Sequence, residues 1–71
     1  MRYAVIFEKS EAGYGAYVPD LPGCVATART VDELRQLIHE AIELHLADMR
    51  ATGQSIPQPS SICEYAEIDM Q

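Results

Sequence analysis

Along this chain the apolar positions change period twice. "RYAVIFEK", residues 2–9, is rich in β-branched and aromatic residues and carries apolar side chains on both faces. Tyr3, Val5 and Phe7 point one way, and Ala4, Ile6 and Glu8 the other. That pattern predicts a central strand. "SEAG", residues 10–13, is a turn, and "YGAYV", residues 14–18, is a second strand antiparallel to the first. "CVATA", residues 24–28, is a third strand whose small side chains admit a covering layer closely. From Thr30 the period becomes helical. Leu34, Leu37, Ile38, Ala41, Ile42, His45 and Met49 recur as one stripe, with Gln36, His39, Glu40, Glu43 and Arg50 on the solvated side. In "TVDE", Thr30 and Glu33 form a capping box, and Asp32 and Glu33 suit the positive end of a helix. Gly53 is a stop signal, so the helix is expected over residues 31–51. After the connector "QSIPQPS", the stretch "SICEYAEIDM", residues 61–70, alternates Ile62, Glu64, Ala66 and Ile68 against Cys63, Tyr65 and Glu67. It predicts a fourth strand.

The expected fold is therefore α+β, in the order β-β-β-α-β, as one domain over residues 1–71. One helix packs on one face of a mainly antiparallel four-stranded sheet. A single helix covers only one face, and the tyrosines Tyr3, Tyr14, Tyr17 and Tyr65 suit an interface on the other, being large and amphipathic. Tyr3, Tyr17 and Tyr65 are the candidate interface residues, and a homodimer or higher oligomer is expected. Between the second and third strands lies a stiff loop, Pro19, Asp20, Leu21, Pro22, Gly23 and Cys24. Pro19 lacks a backbone N–H and ends a strand. Asp20 can bond its own backbone two residues on. Pro22 and Gly23 suit the central positions of a type II turn, the second with positive φ. Leu21 is the apolar member of this turn, placed either to plug the end of a core or to meet a partner.

Seventy-one residues bury only about 60% of their unfolded surface, so oligomerisation or a bound partner is the expected source of added stability. The two cysteines, Cys24 and Cys63, lie in apolar runs and read as small buried residues; neither a disulfide framework nor a metal-spaced Cys/His cluster is present, which fits a reducing cytoplasm. No signal peptide and no apolar run long enough to span a membrane is visible. Eleven acidic residues against five basic ones give a net charge of −6, which disfavours a phosphate backbone and favours basic partners.

Candidate chemistry is sparse. His39 falls off the stripe, one turn from Arg35 and Glu43, and reads as a surface charge pair. His45 lies on the stripe and reads as a packed histidine. Ser60 and Ser61 have no visible base, and Glu64 and Glu67 point to opposite faces of the predicted strand. No catalytic residue, cofactor site or metal site is assigned: the pattern is that of a binding module.

"GYGAYVPDLPGCVATARTVDEL", residues 13–34, closely resembles the HicB-like antitoxin family, and "EAIELHLADM", residues 40–49, matches that family's helix. The resemblance implies a partial ribonuclease-H-like fold without that fold's catalytic acids. It implies the antitoxin of a type II toxin–antitoxin pair. The implied partner is a HicA-like toxin, small and basic, that cleaves mRNA with a histidine which the antitoxin covers. In that setting the loop is a rigid corner with Leu21 packed at the core end. Arg29 stands where the family usually has glycine or a small polar residue, near the positive helix end, with Asp32 or an interface acid as its expected partner. Many family members carry a further C-terminal DNA-binding domain. This chain reads as the short form, so it alone is expected to make no direct contact with nucleic acid. The resemblance leaves a second reading, a stand-alone homo-oligomeric binding or scaffold protein of the same fold.

Overall fold

The computed structural model describes residues 1–70. Three strands and one helix follow one another as β1 (Ile6–Ser10), β2 (Gly13–Tyr17), β3 (Val25–Ala28) and α1 (Val31–Ala51). The sheet is antiparallel in the order β1-β2-β3. β1 begins four residues later than the apolar run suggested. The register explains why. Ile6 pairs with Tyr17, so two residues further out Ala4 would face Pro19. Proline has no N–H to give the ladder, and pairing stops.

α1 spans the expected residues because its signals are local. Thr30 accepts a bond from the Glu33 N–H through Oγ1 at 3.2 Å. Among the described residues the reciprocal bond from Glu33 back to Thr30 is not made, so the box is half-formed. At the other end Gly53 adopts φ +73°, its N–H bonds the Arg50 carbonyl at 3.2 Å, and the Gln54 N–H bonds that of Met49 at 2.8 Å. These two bonds are a full Schellman cap.

The helix lies over β2 and β3 and does not reach across β1. Leu34 and Ile38 are buried against Ala16, Val18, Leu21 and Cys24, with Ala41, Ile42, Leu46, Tyr3, Val5, Tyr14, Ala26 and Ala28 packed around them. The fully buried Val18, Leu21, Leu34 and Ile38 side chains each contribute roughly 1.5–3 kcal/mol by leaving water. Leu37, expected on the stripe, is instead exposed, and Leu46 takes its place.

The predicted fourth strand is not formed, and the sheet has three strands. Residues 54–70 are irregular, and residues 60–70 are exposed throughout. The alternation in this stretch is real, but it signals burial only where a layer waits above the sheet edge. The helix lies over β2 and β3, so within one copy the flank of β1 offers this stretch an open groove and no covering layer, and among the described residues no backbone hydrogen bond joins it to β1. Cys63, expected to be buried in that strand, is exposed, whereas Cys24 is buried.

Candidate functional site

The corner between β2 and β3 is built from two consecutive turns. The Leu21 N–H bonds the Val18 carbonyl at 3.0 Å, which places Pro19 and Asp20 at the centre of the first turn. The Cys24 N–H bonds the Leu21 carbonyl at 3.0 Å, which places Pro22 and Gly23 at the centre of the second. Gly23 has φ +85°, as the third residue of a type II turn requires. A bond from the Val18 N–H to the Cys24 carbonyl, 3.2 Å, closes the loop. Leu21 is 0% exposed and fills the end of the core beside Leu34. Burial pushes the Cys24 thiol up from its ordinary pKa.

Asp20 does not bond its own backbone two residues on as the loop pattern suggested, because that residue is Pro22 and has no N–H to donate. It reaches a segment forty residues on. Its Oδ2 accepts from the backbone N–H groups of Ser60 and Ser61 at 2.9 and 3.0 Å. Its Oδ1 accepts from the two hydroxyls at 3.1 and 2.8 Å. These bonds, first the Ser61 and Ser60 amides and then the hydroxyls, hold the carboxyl pKa at about 2, below its ordinary 3.8. The Tyr3 hydroxyl donates to the Pro57 carbonyl and fixes the same connector from the other side. Asp20 and the serines thus clamp the segment that leaves the helix onto the corner. No local signal in the sequence announces such a contact.

The tyrosines do not share one face. Tyr3 and Tyr14 pack on the helix side, Tyr17 lies on the opposite side, and Tyr65 stands on the C-terminal segment with its side chain wholly in solvent. On the side away from the helix, Ile6, Tyr17 and Val25 form one cross-strand row, set by the pairs Ile6–Tyr17 and Tyr17–Val25. Val25 is 63% exposed and Tyr17 39%, while Ile6 is half-buried beside Ile62 and Cys63, so the row is an apolar strip open toward its Val25 end. Gly13 and Gly15, in the next rows, keep the rest of that face flat.

The outer side of α1 is acidic. Asp32, Glu33, Glu40, Glu43 and Asp48 are all exposed there, with Leu44 among them at 75% exposure. Asp32 pairs with Arg35 at 2.7 Å, not with Arg29. His39 lies 3.7 Å from Glu43 in a solvated pair. His45 is half-buried and lines a shallow groove with Cys24, Val25, Leu44 and Asp48. Among the described residues no three His, Cys, Asp or Glu side chains converge as a metal site would need. No helix there is long and apolar enough to cross a membrane. The arrangement presents surfaces: an acidic helix face, a partly open apolar row and a clamped extended segment.

Residues 3–69 match the family model described as a HicB-like antitoxin of bacterial toxin–antitoxin systems. A UPF0150 protein of Archaeoglobus fulgidus is 49% identical over 47 residues, covering 65% of this chain and 68% of its own length. One from Helicobacter pylori is 48% identical over 46 residues, 65% of this chain and 64% of its own. One from Synechocystis is 39% identical over 67 residues, 93% of this chain and 85% of its own.

Proposed function

The chain belongs to the HicB-like antitoxin family, a family of binding proteins and not of enzymes, and from that premise we propose that it neutralises a small basic RNA-cleaving toxin by covering the toxin's active site. The match over residues 3–69 carries this reading. The charge distribution supports it. A protein that cleaves RNA must attract phosphates and is therefore basic around its site. A partner of net charge −6, whose helix exposes five carboxylates against the two arginines Arg35 and Arg50, is its electrostatic complement. Inhibition is then stoichiometric: each copy bound removes one toxin site, and nothing turns over.

The test is RNA cleavage by any small basic protein that a gene adjoining this chain's gene is found to encode. Purified chain added in increasing amounts should abolish cleavage at a fixed molar ratio and should itself cleave neither RNA nor DNA with any divalent metal. Cleavage that persists at several-fold excess of the chain would refute the proposal. The partly open row of Ile6, Tyr17 and Val25 favours a second reading, a homo-oligomeric binding protein that meets further copies of itself through that face.

A further inference from the structure

The segment beyond the clamp has the composition of a half-buried strand and the environment of a solvated tail. Ile62 is 85% exposed, Ile68 72% and Met70 85%. All three fall on the same side of an extended chain, together with Ala66 and one acid, Glu64. The other side carries Tyr65, Glu67 and Asp69. Alternation of this kind serves a sheet with one covered face. Close by, the outer edge of β1 makes no ladder bonds, since among the described residues β2 is its only neighbour in the sheet. Next to that edge, on the helix side, is an open groove of about 320 Å³ lined by Tyr3, Val5, Phe7, Ile38 and Ile42 among others. Phe7 is 38% exposed in it because α1 does not extend over β1.

The segment does not use this groove in its own molecule. Residues 61–65 run beside residues 2–7, yet no ladder bond forms and the apolar side chains stay in water. The molecule is consequently long, 52 × 27 × 16 Å, although the helix accounts for only about 31 Å. Pro57 and Pro59 stiffen the connector, and the Asp20 clamp fixes where the segment leaves the body.

We propose that residues 62–70 are an exchange arm: in a two-fold dimer each arm lies along the outer edge of β1 of the other copy, with its apolar side over the groove beside Tyr3, Val5 and Phe7. A second copy is the occupant for two reasons. The arm carries three acids, Glu64, Glu67 and Asp69, whereas the receiving edge carries Arg2 and Lys9 against the single acid Glu8, and neither cation is ion-paired among the described residues. The exchange is also reciprocal. Each copy supplies one arm and one edge, so both edges are covered and the assembly closes at two. The inference does not depend on the antitoxin reading, and its test uses the chain alone.

Sedimentation of the full chain at micromolar concentration should give a dimer. Ile62→Asp with Ile68→Asp should raise the dimer dissociation constant at least about a hundredfold, since two aliphatic groups per arm lose their burial. The helical circular dichroism should not change, because both residues are exposed in the single chain. Glu8→Cys on β1 should form a disulfide with the native Cys63. In a mixture of isotopically light and heavy protein, the linked peptides should be light–heavy hybrids. Links confined to one copy would overturn the proposal in favour of an arm that docks on its own edge. A dimer untouched by the double aspartate variant would overturn it in favour of the Ile6–Tyr17–Val25 row, and a monomer at all concentrations would leave the groove to a different protein and refute the exchange.

Discussion

At the scale of single residues, Asp20 ties two distant parts of the chain together through one carboxylate. Its ordinary pKa is 3.8 and its folded value about 2. The charged form is the one the amides and hydroxyls of Ser60 and Ser61 favour, so the contact contributes its full stabilisation above pH 3.8. The contribution falls as the pH drops from there through about 2, where the folded carboxyl takes up its proton. Chemical shifts of the Ser60 and Ser61 amides should therefore titrate with a midpoint near 2, and a midpoint at the ordinary carboxylate value would show that the clamp is open in solution. Two glycines are bound by different constraints. A Cβ at Gly23 meets nothing within 4 Å, so Gly23→Ala carries only the cost of φ +85°, about 1–2 kcal/mol. A Cβ at Gly13 would lie 2.4 Å from the Ala28 carbonyl oxygen, a ladder atom that cannot move alone. Gly13→Ala should lower the melting temperature by clearly more than Gly23→Ala, and the reverse order would contradict the β2–β3 register.

At the scale of elements, legibility followed the range of the signal. The helix bounds Val31–Ala51 could be read because the cap, the period and the glycine stop each act within a few residues. The half-formed box has a measurable consequence. Thr30→Ala should cost about 1 kcal/mol in urea unfolding, while Glu33→Ala should cost only the few tenths due to charge at the helix end. Equal losses would show that Glu33 does reach back to Thr30. The strand at residues 61–70 could not be judged in the same way. Its alternation is a local property, but its pairing depends on whether α1 covers β1, which is decided by how the helix crosses the sheet. The clamp was still less legible: Asp20 and Ser60 stand forty positions apart, and Asp20 has an ordinary local role in any proline turn. The stripe assignment failed at Leu37 for a related reason. Helical periodicity locates a face to within a residue or two, and the placement over β2 and β3 selects Leu46 in its stead.

At the scale of the whole molecule, charge is the property that reaches furthest. At physiological salt fields decay within about 8 Å, so only the summed charge of a face, not any one pair, steers a partner before contact. The Arg35–Asp32 and His39–Glu43 pairs are exposed and contribute little to stability. Their side of α1 nonetheless retains Glu33, Glu40 and Asp48 without a cationic neighbour at salt-bridge distance among the described residues. Glu40→Lys with Glu43→Lys tests this face without touching the core, since both residues are exposed helix positions. Each substitution adds two charges, so the pair takes the net charge from −6 to −2. Association with the basic toxin proposed as its partner should slow by about tenfold or more at low salt. The difference between variant and parent should shrink as salt is raised, because screening removes the same field from both. The dissociation rate should change much less unless this helix face is itself the contact. Stopped-flow association at several salt concentrations separates these outcomes. An on-rate independent of both salt and the two substitutions would show that the acidic helix face does not guide the encounter, and that the surplus of carboxylates serves solubility alone.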